Sequence, residues 1–130
     1  MPFTTPIVLR VPCVEGGYWI VEEPLNFQSQ IFTYPNGKPK NYIVEAGSVT
    51  DLASVPRLPV VYWLVGNRGA AAAIVHDFLY SDGIRLKLIE SRSEADEVYR
   101  EALLSQNIGP YLANMMFWGV RQFGEEHFNW

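Results

Sequence analysis

Arg68-Gly69-Ala70-Ala71-Ala72-Ala73-Ile74-Val75-His76-Asp77-Phe78-Leu79-Tyr80 is where the period of the chain becomes clearly helical. Gly69, Ala72, Ala73, His76 and Tyr80 fall at i, i+3, i+4, i+7 and i+11, one stripe of an α-helix. The spacing predicts a helix from about Arg68 to Tyr80 that stops before Asp82-Gly83. Small and medium side chains on that stripe let a neighbouring backbone approach closely. Downstream, Ser91-Arg92-Ser93-Glu94 has the Ser-x-x-Glu form of a capping box and predicts the next helix, to about Ser105. That helix offers Asp96 and Tyr99 on one side near its start, so a hydrogen bond between His76 and Asp96 is expected. A carboxylate on one imidazole nitrogen fixes the tautomer and leaves the other nitrogen as a general base, and Tyr80 can steady the same carboxylate.

A further helix is predicted after Gly109-Pro110, with Leu112, Met115, Met116, Gly119 and Phe123 on a stripe read as a core face. Upstream, Ser54 can cap a short helix with Pro56 in its first turn, and the apolar run Val60 to Val65 would be buried. Before about Thr50 the pattern is that of strands. Ile7 to Val11, Tyr18 to Val21, Gln30 to Tyr34 and Tyr42 to Ala46 are short and rich in β-branched and aromatic residues. Gly16-Gly17 and Pro35-Asn36-Gly37 separate them, the latter suiting a type I turn with Pro at its second position. The fold class is therefore α+β: an N-terminal antiparallel β-meander packed on three to four C-terminal helices. Residues 1–130 read as one domain, 1–50 mainly β and 54–130 mainly α, since 130 residues is the size of one ordinary domain.

Composition narrows the function classes. Hydrophobic residues make up 48% of the chain, which excludes a disordered tail. The sequence has no apolar run near the roughly 18 residues of a membrane span, so no transmembrane segment is expected. Four basic and five acidic residues lie up to Val65 and six against nine beyond it, so neither half is basic and nucleic-acid binding is not expected. Cys13 is the only cysteine, which excludes an internal disulfide and a cysteine-based metal site. Met1 to Pro12 has no cationic start followed by a long apolar stretch, and synthesis in a cytoplasm is expected. Charged residues are 18%, below the roughly 25% of an average globular protein, while eighteen residues are aromatic. Such a surface suits contacts with other protein, and a small monomer with large side chains gives a similar count.

His76-Asp77-Phe78-Leu79-Tyr80, followed about twenty residues later by Ala95-Asp96-Glu97-Val98-Tyr99, resembles the paired motifs of short secreted and viral phospholipases that cleave the sn-2 ester. The resemblance spans Gly69 to Leu103. It implies His76 activating water, Asp96 orienting it, Tyr80 bonding that aspartate and Asp77 binding calcium. Gly66-Asn67-Arg68-Gly69 stands where that family has its glycine-rich calcium loop.

A second resemblance covers more of the chain. Gly47-Ser48-Val49-Thr50-Asp51-Leu52-Ala53-Ser54-Val55-Pro56-Arg57, Ala73-Ile74-Val75-His76-Asp77-Phe78-Leu79-Tyr80, Ser93-Glu94-Ala95-Asp96 and Val120-Arg121-Gln122-Phe123-Gly124 are similar, in order, to a domain family of unknown function found widely in tailed-phage genomes. That resemblance implies a phage origin and brings no reaction with it.

Each candidate residue also has a plain reading. His76, Tyr80 and Asp96 serve equally as a buried polar network that locks two helices. Asp96, three after Ser93, and Asp77 and Asp51 can cap turns or helix starts. His127 reads as a surface residue or a contact, and the charges from Glu90 to Glu101 as a solvated helix face. Two functions follow. The preferred one is a virion or assembly component of the tail, neck or baseplate region, partnered by other phage structural proteins or by copies of itself. The alternative is a small hydrolase of an envelope ester or amide, with His76 as base, Asp96 as orienter and Asp77 as the metal ligand.

Overall fold

Antiparallel strands precede the helices, as the change of period predicts. The computed structural model describes Phe3, Leu9–Arg10, Trp19–Val21, residues 23–50 and 70–123, Glu125 and Phe128. The short helix expected after Ser54, the run Val60 to Val65, the Gly16-Gly17 turn, Asp51, Gly66-Asn67-Arg68-Gly69, His127 and Trp130 lie outside the described residues.

Strands β1 (Leu9–Arg10), β2 (Trp19–Val21), β3 (Leu25–Thr33), β4 (Pro39–Val44) and β5 (Val49–Thr50) form two sheets. The first has the order β1-β2-β5 and the second is the β3–β4 hairpin, both antiparallel. The chain therefore does not run as one continuous meander: the hairpin is inserted between β2 and its partner β5. Gly47, at φ +89°, makes that return, where its amide donates to the Val21 carbonyl at 2.7 Å and the Val21 amide donates to Ser48 at 2.8 Å. A left-handed residue is what glycine supplies at such a turn.

The hairpin turn follows its sequence. Pro35 sets φ for the second position, the Gly37 amide donates to the Tyr34 carbonyl at 2.8 Å, and Gly37 takes a left-handed φ of +84°. Pairing of Leu25 with Val44 and of Phe27 with Tyr42 puts four apolar side chains on the inner face, while Ile31 and Ile43 face outward. Strand β3 begins five residues before the expected Gln30, because Asn26 and Gln28 are the outward half of an alternation whose inward half is Leu25, Phe27 and Ser29. The ladder slips between Gln28 and Thr33, and there the buried Ser29 hydroxyl accepts from the amides of Ile31 at 3.0 Å and Phe32 at 2.9 Å.

Among the described residues the helices are α1 (Ala70–Asp82), α2 (Arg92–Ser105) and α3 (Pro110–Phe123). Their boundaries are written in the sequence. Gly83 follows the last residue of α1 and donates its amide to the Leu79 carbonyl at 3.0 Å, and a Cβ there would strike that carbonyl and the Ile89 side chain, so the position requires glycine. Ser91 caps α2 by accepting from the Glu94 amide at 3.2 Å, while the Glu94 carboxylate returns to the amide of Glu90, one residue before the cap. Pro110 opens α3, where its missing N–H is no loss.

Two carboxylates of α2, that of Glu94 again and that of Glu101, fasten it to the hairpin. Glu94 Oε2 accepts from Tyr42 Oη and Lys40 Nζ, each at 2.7 Å. Two turns on, Glu101 accepts from Ser29 Oγ at 2.7 Å and from the Gln30 amide at 2.6 Å. One apolar cluster runs from Val21, Phe27 and Tyr42 on the strands through Leu79 and Val98 to Met116 on α3. Helix α2 packs on both other helices, and α1, which carries His76, touches β4 and β5 as well as α2.

Candidate functional site

The small-residue stripe of α1 sets the geometry of the site. Ala72, Ala73, His76 and Tyr80 are all buried, and α1 packs along α2. His76 Nε2 lies 2.8 Å from Asp96 Oδ1, and Tyr80 Oη donates to the same oxygen at 2.6 Å. The two contacts anticipated for Asp96 are thus present in the geometry. An ionised carboxylate only accepts, so the Nε2 nitrogen carries the proton of this bond.

The other half of the site comes from arginines to which the sequence reading gave no role. Arg121 of α3 donates from Nη1 to Asp96 Oδ2 at 2.8 Å. Arg92, one turn before Asp96, donates from Nε to Tyr80 Oη at 2.9 Å and from Nη2 to the Val120 and Arg121 carbonyls, each at 2.7 Å. It thereby satisfies carbonyls in the last turn of α3. The signals for both lie in the sequence: Arg92 stands four residues before Asp96 on one helix face, and Arg121 sits inside the Val120 to Gly124 motif. Their roles are tertiary, since they depend on where α3 ends in space.

Asp96 is completely buried, at 0% exposure. Burial opposes its ionisation, but the hydrogen bonds from His76, Tyr80 and Arg121 and the field of His76 outweigh it and hold the carboxyl below its ordinary range. The Tyr80 hydroxyl is pushed well above its usual range, first by burial and then by its bond to the Asp96 carboxylate. His76 is 2% exposed, its ring 4.1 Å from that of Tyr80 and 4.7 Å from that of Tyr99, centroid to centroid. Burial, followed by the charge of Asp77, raises the Tyr99 hydroxyl in turn. Phe128 meets Tyr80 edge-on at 5.0 Å.

Asp77 is half-buried on a different side of α1 from His76, as the roughly 100° step per residue requires. Among the described residues no cluster of three His, Cys, Asp or Glu side chains is placed to hold a metal ion. Asp96 does not cap its helix; Ser91 does, and Asp96 sits in the second turn facing α1.

The described chain is thus an α+β protein whose helices meet on a buried aspartate held by histidine, tyrosine and arginine. Residues 19–120 match the profile of a family described as "Protein of unknown function (DUF1353)", and the chain belongs to that family. The match reaches from β2 into α3 and so takes in His76, Tyr80, Arg92 and Asp96. Comparison with curated proteins and with solved structures gives no match.

Proposed function

We propose that the chain is a tailed-phage virion or assembly component, of the tail, neck or baseplate region, in which the His76–Asp96 pair fixes a helix junction. The observation that carries this reading is the burial of His76, at 2% exposure, against a carboxylate whose two oxygens accept from His76, Tyr80 and Arg121. A carboxylate filled in this way serves packing. What the chain offers to a partner is then its surface, where Ile31, Ile43, Tyr111 and Trp118 are exposed. The phage setting rests on the four ordered motifs. Mass spectrometry of purified virions is the test: the chain at fixed copy number supports the reading, and its presence only in infected-cell lysate overturns it.

A second reading keeps the hydrolase. The His76 Nε2 bond to Asp96 is the arrangement that orients a general base, with Asp77 as the metal ligand of that scheme. Substrate would have to reach an imidazole covered by Tyr80 and Tyr99. His76→Ala separates the two readings. Loss of ester or amide hydrolysis with an unchanged melting temperature favours the hydrolase; a lowered melting temperature with no activity in either protein favours the junction.

A further inference from the structure

We propose that the outer face of α3 pairs two copies of this chain, with the helices antiparallel about a twofold axis at Met115. Tyr111 is 85% exposed, Trp118 60% and Met115 44%, and they lie at i, i+7 and i+4 on one side of the helix. Ala113, Met116 and Phe117, on the opposite side, are buried.

Three properties of the face fit a second copy. The first is shape. An axis at Met115 sets residue 115−k of one copy against 115+k of the other, so Tyr111 of each meets Gly119 of its mate. Nothing lies within 4 Å of where a Gly119 Cβ would be, and a phenol ring can occupy that space. The large side chain meets the small one twice, as a twofold interface requires.

The second property is charge. Arg121 is the only charged residue of α3, and it turns inward to Asp96. The outward side chains are Tyr111, Asn114, Met115, Trp118 and Gln122. The charge nearest the face is Arg100 of α2, which donates to Asn114 at 3.3 Å and is paired with Glu97 at 2.6 Å, so two chains of net charge −4 would bring neutralised pairs together here, and antiparallel helix dipoles add a favourable term.

The third is area. At roughly 150–250 Å² per aromatic side chain, Tyr111 and Trp118 leave about 300 Å² exposed per copy. Two copies would bury about 600 Å² from these four rings alone, half of the roughly 1,200 Å² at the lower end of specific interfaces. Met115, Asn114 and Gln122 extend the contact toward a reversible dimer.

The pairing extends the assembly reading to a second copy of the chain, and it is tested on purified protein so that its failure is separate from that of the virion measurement. Sedimentation equilibrium of the full chain from about 1 to 100 μM should show a monomer and dimer in exchange. Trp118→Glu and Gly119→Glu should each shift the equilibrium at least tenfold toward monomer, with unchanged melting curves at the lowest concentration. In a Cys13→Ser background, Met115→Cys should form a disulfide-linked dimer on mild oxidation, because the axis places the residue opposite itself. A chain that stays monomeric to 100 μM overturns the proposal. So does a dimer indifferent to both glutamates, or one in which Met115→Cys fails to cross-link.

Discussion

α1 and α3 are both apolar helices of similar length, and the difference between them lies in how many sides are covered. From Ala71 to Tyr80 every side chain of α1 is buried except Asp77, which is half-buried. Helix α3 buries Ala113, Met116 and Phe117 and leaves Tyr111, Met115 and Trp118 outside. Strands β4 and β5 lie against α1 in addition to α2, whereas α3 packs chiefly on α2. Position in the layer, not composition, separates the two. A helix that is apolar all round needs neighbours all round.

The largest effect should come from the residue that joins all three helices. Asp96→Ala leaves Arg121 and the Arg92–Tyr80 pair facing an empty site, and breaking a buried charge network by removing one partner costs about 3–5 kcal/mol. Urea unfolding should report that loss, with a melting temperature lower by roughly 10–20 °C. The same residue gives an acid limb. Its folded carboxyl titrates below the ordinary value of 3.8, so its contribution is present above that value and is lost as pH falls through the depressed one. Asp96→Asn, which cannot titrate, should flatten the stability curve in that acid range. A slope identical in both proteins would show that other carboxylates carry the acid transition.

Much of this contrast is visible in the amino-acid sequence and part of it is not. The α1 stripe predicts a close-packed helix, and Ala72, Ala73, His76 and Tyr80 are buried along it. On α3 the same kind of pattern finds Leu112 and Met116 at the core but misplaces one side chain. Leu112, Met115, Met116, Gly119 and Phe123 read as the core stripe, yet Met115 is exposed while Phe117 is covered. The side chain that misleads is Met115. Its apolarity resembles that of core residues, and only the placement of α2 decides which side of α3 is inner. Pro, Gly and Ser mark local events well, as Pro110, Gly83 and Ser91 show. The His76–Asp96 bond is legible because each residue sits on a helix whose inner face its own period predicts. Arg92 escapes such reading because its partners include carbonyls at the far end of α3, and Arg121 because no local spacing brings that end of α3 near Asp96.

Ala73→Leu should give the intermediate effect. Ala73 is fully buried on the stripe that carries His76, so three added carbons must displace neighbours in a packed layer. Overpacking of this kind costs about 1–3 kcal/mol. The displacement should also lengthen the His76 to Asp96 bond, which the imidazole NH chemical shift would register. Unchanged stability and shift would mean that the layer around α1 is looser than its complete burial indicates.

The smallest effect is expected on the other side of the comparison. Met115→Lys introduces a charge at the centre of the exposed face of α3, where a methionine 44% open to solvent can be replaced without burying the ammonium. Surface substitutions of this kind change folding stability by less than about 0.5 kcal/mol. Thermal melts of dilute protein should therefore superimpose on those of the parent chain. A loss above 1 kcal/mol would place Met115 in the folding core after all and make α3 a second α1.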